Sequence, residues 1–229
     1  MGYILLEGGA EFQGSMAEPD KRAMALAGGA DARISIIPAA AAPDHNQDRA
    51  GKNGVGWFRR LGARHVQSLP LVDETSANDP AISEALRQSH LIFLLGGFPG
   101  YLADTLAQSL CGEATLEAKR SGGVIAGSSA GAMVLCEYYY DPFRKEIAKG
   151  LNLIPGACVL PHHDTFGNEW ARHLLEMIPE AILIGIAEET GLINEGREGA
   201  WHVYGKKDVT LYRNGQMEHV TRERTFQLR

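Results

Sequence analysis

The sequence predicts an α/β fold, a three-layer sandwich with a mostly parallel central sheet and a C-terminal antiparallel extension. Up to residue 190, apolar runs of strand length alternate with helix-like segments, as in a parallel sheet covered by helices on both faces. After residue 190, short strand-like runs are separated by turn sequences, which favour antiparallel hairpins. No repeat and no Ser/Pro-rich linker interrupts residues 1–229, which we therefore expect to form a single α/β domain.

The first half of the chain supplies four predicted strands, at residues 3–6, 33–38, 65–69 and 90–95. The last of these runs is continuously apolar, which indicates a strand buried on both faces. Helices are predicted at residues 18–27, where Pro19 suits a first turn, and at residues 79–88, which Asp79 and Pro80 open. Residues 44–61 are polar at first and become helix-like at residues 57–61.

The second half continues the alternation and then changes to hairpins. Helices are predicted at residues 99–110, 113–120 and 130–136, with a strand at residues 123–126 between the last two. Strands at residues 157–160 and 182–186 flank a helix at residues 168–177. The C-terminal extension comprises strands at residues 192–194, 200–204 and 209–212.

Composition excludes several classes of protein. There are 22 Lys and Arg against 28 Asp and Glu, a net charge of −6, and this acidic balance argues against a nucleic-acid partner. No apolar run approaches the roughly 20 residues needed to span a bilayer, so we expect no membrane partner. Three cysteines without a C-x-x-C pair, and no recognisable secretory signal, fit a reducing, cytoplasmic location.

We also expect no cofactor and no metal. Residues 8–14 are rich in glycine but have neither the spacing nor the lysine of a nucleotide-binding loop. His162, His163 and Asp164 have suitable ligand chemistry for zinc. However, adjacent residues of a strand face opposite ways, so the two histidines would not share one ion.

The most informative segment is Gly127-Ser128-Ser129-Ala130-Gly131, which fits the G-x-S-x-G pattern between a predicted strand and a predicted helix. In a nucleophile elbow, small neighbours permit a tight turn that exposes the serine hydroxyl above the sheet edge. The start of the following helix directs backbone N–H groups toward a developing oxyanion. Ser129 is therefore the candidate nucleophile.

A serine nucleophile needs a base and an orienting acid, and two chain orders are open. In the order of α/β-hydrolases, Asp164 or Glu188 would precede His202 or His219 as the base. In the other order, Ser129, His163 and Glu188 all follow strands and would meet at one sheet edge. The second order is geometrically simpler.

Further segments stand in the same order as in one known family: residues 7–9 (EGG), 92–97 (IFLLGG), 127–132 (GSSAGA), 161–163 (PHH), 184–190 (IGIAEET) and the hairpin at 203–210. Together they resemble the aspartyl dipeptidase (dipeptidase E) and cyanophycinase family of serine peptidases, over nearly the whole chain. The resemblance implies a class I glutamine-amidotransferase-like fold and a triad of Ser129, His163 and Glu188. It also implies an oxyanion hole from the backbone N–H groups of Gly97 and Ala130, and a homodimer.

The chain departs from the family where the substrate would bind. Cyanophycinases carry Asp-Gln before the histidine and an arginine-rich run after it, which hold aspartyl and arginyl groups. Here Pro161 and His162 precede the predicted base, and of the arginines only Arg172 remains. The candidate substrate-binding residues are Phe98, His162, Asp164 and Arg172.

These observations predict a serine peptidase that cleaves a small peptide or isopeptide. Two alternatives remain open: a non-hydrolytic binding or regulatory protein on the same fold, and an esterase of the α/β-hydrolase type that uses His202 or His219.

Overall fold

The computed structural model describes residues 2–222 and 224–228, which form fourteen strands and eight α-helices. The strands are β1 (Tyr3–Glu7), β2 (Arg33–Ile37), β3 (His65–Ser68), β4 (Leu91–Leu94), β5 (Val124–Ser128), β6 (Cys136–Asp141), β7 (Glu146–Lys149), β8 (Ile154–Leu160), β9 (Ile182–Ile186), β10 (Thr190–Ile193), β11 (Trp201–Gly205), β12 (Val209–Arg213), β13 (Gln216–Val220) and β14 (Thr225–Phe226). The helices are α1 (Ala17–Leu26), α2 (Gln47–Arg60), α3 (Glu74–Ala77), α4 (Pro80–Arg87), α5 (Pro99–Leu106), α6 (Leu110–Arg120), α7 (Ala130–Leu135) and α8 (Ala171–Met177).

The first sheet has the strand order β14-β11-β10-β1-β5-β4-β2-β3. From β1 to β3 all neighbours are parallel, and β10, β11 and β14 add an antiparallel edge. The parallel strands are buried runs of apolar residues; all four residues of β4, for example, are buried. The predicted α/β class, with a parallel sheet and an antiparallel C-terminal part, is confirmed.

A second sheet, with the order β13-β12-β9-β8-β6-β7, was not predicted as a separate unit. Its central strands β6, β8 and β9 are parallel, and β7, β12 and β13 pair antiparallel to their neighbours. The strands predicted at residues 157–160 and 182–186 exist, but they belong to this sheet and not to the central one. An apolar run indicates a buried strand and does not specify its partner.

Helix α7 connects the two sheets. All six of its residues are buried, and it contacts β1, β4 and β5 of the first sheet and β6 and β8 of the second. Buried residues of both sheets belong to the same apolar cluster, for example Leu6 and Ile125 of the first sheet with Val159 and Ile184 of the second. The start of α7 therefore lies where the two sheets meet.

Within the described residues, no helix has both the length and the apolar character needed to cross a membrane. The three cysteines, Cys111, Cys136 and Cys158, are buried and free. Burial raises the pKa of the Cys111 thiol to about 11 and that of the Cys158 thiol to about 12, so these thiols remain protonated at neutral pH.

Candidate active site

The predicted elbow forms between β5 and α7. Ser129 has φ 49° and ψ −112°, an unusual conformation for a residue with a side chain. Its backbone N–H donates to the Glu7 carbonyl oxygen at 3.0 Å. A Cβ atom on Gly127 would lie 2.4 Å from the Gly131 carbonyl carbon, and one on Gly131 would lie 2.1 Å from the Leu94 carbonyl oxygen. The glycines on both sides of Ser129 are therefore required by the closeness of the backbone.

Ser129 is hydrogen-bonded to His162. The distance from Ser129 Oγ to His162 Nε2 is 3.0 Å, and His162 Nδ1 lies 2.9 Å from Glu188 Oε1. The His162 backbone N–H donates to the Gly8 carbonyl oxygen at 2.7 Å. Gly9 lies under the imidazole, since a Cβ atom there would come within 2.4 Å of His162 Cε1. The hydroxyl, the imidazole and the carboxylate thus form a continuous chain, the arrangement in which a serine is activated.

The prediction that His163 lies against Ser129 is wrong. His163 turns to the other side, where its Nε2 atom is 3.0 Å from the Tyr212 hydroxyl and its ring covers Gly185. Burial lowers the pKa of His163. The two histidines face the opposite way from the prediction because His162 has φ 49°, which interrupts the strand alternation. His162, predicted as a substrate-binding residue, takes the position beside the serine.

The other candidate bases lie elsewhere. His219 Nδ1 is 3.1 Å from Thr210 Oγ1. His202 lies in β11 beside Gly196. The described contacts of Ser129 therefore give no support to the esterase alternative that uses either of these histidines.

Asp164 holds the backbone of Glu188 in place. The Glu188 backbone N–H donates to Asp164 Oδ1 at 2.7 Å, and the Lys207 ammonium donates to Asp164 Oδ2. Burial alone would raise the pKa of Asp164, but the bonds from Lys207 and from the Glu188 N–H outweigh burial and lower it. Asp164 was predicted to bind substrate, and in the structure its carboxylate instead fixes the loop that carries Glu188.

The predicted oxyanion donors are the backbone N–H groups of Gly97 and Ala130. Gly97 has φ 138°, and a Cβ atom there would lie 2.1 Å from the Ala40 carbonyl oxygen, so only glycine fits. The preceding Gly96 is close enough to Ser129 that its Cβ atom would lie 3.3 Å from the serine Cβ. The N–H of Ala130 is the first of helix α7 and has no acceptor within the helix. Ala130 directly follows Ser129 in the chain, and Gly97 follows the glycine that lies against Ser129.

Three acidic residues behind the elbow were not predicted. Glu11 Oε1 lies 3.4 Å from the Gly96 N–H, and burial raises the pKa of Glu11, partly offset by Ser128, Gly96 and His162. Glu7 and Asp20 are fully buried. The sequence held one signal for them: Glu7 stands at the end of an apolar strand, and a charged residue is costly to bury there.

Two predicted substrate-binding residues, Phe98 and Arg172, remain to be placed. The Phe98 ring stacks on Phe143, with centroids 4.3 Å apart. Phe166, which was not predicted, stacks on the His162 ring at 4.9 Å. Arg172 is exposed on α8. The described contacts thus place an aromatic side chain on the imidazole of His162, and they give Arg172 no contact with Ser129, His162 or Glu188.

A cavity of about 660 Å³ opens on the Glu11 side of the elbow. Its other wall is one face of α2, which contributes Arg49, Asn53 and Arg60. Gly56 lies in the same wall and leaves it open. Positive side chains facing one carboxylate form a polar recess, which is suited to a charged group rather than to an apolar one.

Several known proteins are similar to this chain in sequence or in fold. The sequence model of peptidase family S51 matches residues 4–200. The cyanophycinase of Geminocystis herdmanii (strain PCC 6308) is 31% identical over 229 residues, with 95% of this chain and 82% of that protein covered. The crystal structure of a peptidase from an acI-B1 Actinobacterium superimposes with a TM-score of 0.87 at 28% identity, covering 99% of this chain and 96% of that one. A peptidase E-type protein from Listeria monocytogenes EGD-e shares the fold, with a TM-score of 0.61, 17% identity and coverage of 93% and 98%.

Proposed function

The chain belongs to peptidase family S51 and is a serine peptidase, and on that premise we propose that it hydrolyses a small peptide or isopeptide with a Ser129–His162–Glu188 triad. The observation that carries the triad is the pair of hydrogen bonds that joins the three side chains, at 3.0 and 2.9 Å. In this proposal His162 replaces His163, which is bonded to Tyr212.

The reaction begins with attack of Ser129 Oγ on the scissile carbonyl carbon. His162 Nε2 accepts the hydroxyl proton, which requires the tautomer with hydrogen on Nδ1. Glu188 Oε1 selects that tautomer by accepting the Nδ1 hydrogen, and it stabilises the imidazolium that forms. Positioned acid–base catalysis of this kind contributes about 10²- to 10⁴-fold to the rate.

Negative charge then develops on the former carbonyl oxygen. The backbone N–H groups of Gly97 and Ala130 are the proposed donors to it, and one such donor is worth about 10²- to 10³-fold in kcat. Collapse of the tetrahedral intermediate breaks the C–N bond, and His162 delivers its proton to the leaving amine. Water, deprotonated by His162, hydrolyses the acyl-enzyme and restores Ser129.

The proposal is tested by labelling with a fluorophosphonate probe, which reacts with activated serines. The wild-type protein should be labelled once, on Ser129, and Ser129→Ala should not be labelled. Ser128→Ala is the matched control, because Ser128 is the neighbouring serine and is fully buried. Labelling that survives Ser129→Ala, or an unlabelled wild type that binds peptides without turnover, would overturn the triad in favour of another nucleophile or a binding function.

Two wider expectations belong to the same proposal. The buried free thiols of the three cysteines support a reducing compartment such as the cytoplasm. The proposed assembly is a homodimer, for which light scattering coupled to gel filtration should give twice the chain mass.

A further inference from the structure

Two exposed phenylalanine side chains border the proposed site. Phe166 is 46% exposed and stacks on the His162 ring with an interplanar angle of 24°. Phe143 is 60% exposed and stacks on Phe98, which follows the proposed oxyanion donor Gly97. Large apolar side chains left this exposed beside a reaction centre mark a surface that a ligand covers.

A single hairpin connects the two sides. Phe166 also contacts Trp170 at 5.6 Å, and Trp170 contacts Tyr140 at 5.2 Å. Tyr140 belongs to β6, and Phe143 lies in the turn between β6 and β7. We call Phe98, Tyr140, Phe143, Phe166 and Trp170 the aromatic rim. It begins next to Gly97 and ends on the imidazole of His162.

Two charged side chains next to the rim, those of Arg144 and Asp164, are already paired. Arg144, which follows Phe143, forms ion pairs with Asp104 and Asp141. Asp164 is paired with Lys207. A substrate side chain that lies against the rim therefore meets aromatic faces, and to bind these paired charges it would have to displace an existing partner.

The chemistry of the proposed reaction places one part of the substrate there. His162 Nε2 gives its proton to the leaving amine, so that nitrogen must lie within hydrogen-bond distance of Nε2. The residue that carries the leaving amine consequently lies beside the His162 ring, next to Phe166. Covering exposed aromatic surface with an apolar side chain is favourable, whereas a carboxylate loses hydration there. An arginine gains a cation–π contact, but this contact is weaker than the burial of a Leu or Phe side chain.

We infer that the aromatic rim selects peptides in which the residue after the scissile bond has an apolar or aromatic side chain. The inference rests on the proposed function and adds a specificity to it. Phe166 is the main determinant, because it touches both the imidazole and the rest of the rim.

The test uses dipeptide mixtures in which the first residue is varied and the second is fixed as Leu, Phe, Asp or Arg. Release of the fixed amino acid is followed by mass spectrometry with the wild-type protein. We expect the Leu and Phe mixtures to be hydrolysed at least tenfold faster than the Asp and Arg mixtures. Equal rates, or faster hydrolysis of the Asp or Arg mixture, would overturn the inference.

The variants separate specificity from a role in positioning His162. Phe166→Ala should lower the Leu-to-Asp rate ratio about tenfold, and Phe166→Leu should restore most of the ratio. Met177→Ala is the control, since Met177 is another exposed apolar side chain, at 60% against 46% for Phe166, and lies at the end of α8 remote from Trp170. An equal fall for all four mixtures in Phe166→Ala would also reject the inference.

Failure of the proposed function would look different. In that case Ser129→Ala would retain the hydrolysis of the wild type, or no mixture would be hydrolysed and no probe would label Ser129. If hydrolysis depends on Ser129 but shows no preference for apolar residues, the proposed function stands and only the specificity assigned to the aromatic rim is rejected.

Discussion

At the scale of residues, the site depends on backbone conformations that few side chains adopt. Ser129 and His162 both have φ 49°, and Glu189, which follows Glu188, has φ 55°. Conformations of this kind cost about 1–3 kcal/mol each and persist only where surrounding contacts impose them. The contacts are present: Ser129 N–H binds the Glu7 carbonyl oxygen, and His162 N–H binds that of Gly8.

The adjacent histidines provide a direct test at this scale. We expect His162→Ala to reduce kcat/KM by about 10⁴-fold or more, because the variant loses the base and its link to Glu188. His163→Ala should stay within about tenfold of wild type and lose about 1 kcal/mol of unfolding free energy, the value of one hydrogen bond to Tyr212.

The measurements are steady-state kinetics on the best dipeptide mixture and urea unfolding of both variants. The reverse pattern, with His163→Ala inactive and His162→Ala active, would restore the original assignment of the base.

The sequence could locate both histidines but could not choose between them. Strand alternation predicts opposite directions for neighbouring side chains only while the strand continues. Here β8 ends at Leu160, and the chain turns at His162 with positive φ. That turn arises from long-range bonds, such as the one to Gly8, which no local pattern reveals.

At the scale of elements, strand positions were predictable and strand partners were not. Strand β4 was predictable because its residues are all apolar, as expected of a strand buried on both faces. By contrast, the β6–β7 hairpin was not predicted, because its tyrosine-rich sequence is not a run of aliphatic residues. Helix α2 begins at Gln47, ten residues before the predicted helix-like part. Its first turns were missed because they are polar, and several of these polar residues line the cavity beside Glu11.

Elements β1, α1 and α2 meet at buried polar groups. Asp20 of α1 accepts a hydrogen bond from Trp57 Nε1 of α2 at 2.7 Å. Glu7, at the end of β1, has no N–H or O–H donor for either carboxylate oxygen among the described residues. Burial raises the pKa of Glu7 well above its ordinary value and that of Asp20 to about 7. An ionised carboxylate only accepts hydrogen bonds, so Glu7 and Asp20 can share one only when one of the two carboxyl groups keeps its proton.

We therefore predict a pH-dependent gain in stability for Glu7→Gln. For a carboxyl group whose pKa is raised by folding, the stabilising contribution is complete below the ordinary pKa, near 4. That contribution is lost as the pH rises through the folded value, about 7 for Asp20. The neutral amide introduced by Glu7→Gln avoids this loss, so the urea midpoint of the variant should exceed that of wild type at pH 8 and approach it at pH 5.

Glu113→Gln is the control for removal of a negative charge, because Glu113 is exposed on α6. A difference between Glu7→Gln and wild type that is the same at pH 5 and pH 8 would contradict a buried, protonated pair.

At the scale of the whole molecule, the proposed triad is assembled across two sheets. Ser129 follows β5 of the first sheet, whereas His162 and Glu188 follow β8 and β9 of the second. The distances within the triad therefore depend on how closely the sheets approach. Gly8 lies at this junction: its carbonyl oxygen accepts from the His162 N–H at 2.7 Å, and its own N–H donates to the Thr190 carbonyl oxygen at 3.0 Å.

We predict that Gly8→Ala, at this junction, lowers the rate of hydrolysis. A Cβ atom on Gly8 would lie 2.2 Å from the Ala187 carbonyl oxygen and 2.4 Å from that of Ile186, so the segment leading to Glu188 must move. Because a displacement of about 1 Å in a catalytic group can cost about 10²-fold in rate, we expect kcat/KM to fall by that factor or more. The far-UV circular dichroism should be retained, since the change is confined to the contact between sheets.

Gly28→Ala is the control. Gly28 lies between α1 and β2 with φ 111°, and a Cβ atom there would meet nothing within 4 Å. Alanine should therefore lower the unfolding free energy by about 1–2 kcal/mol through backbone strain and leave the kinetics unchanged. If a folded Gly8→Ala variant keeps the kcat/KM of wild type, the separation of the sheets does not control the triad, and the bonds within the triad must be strong enough to hold it against the movement of the backbone.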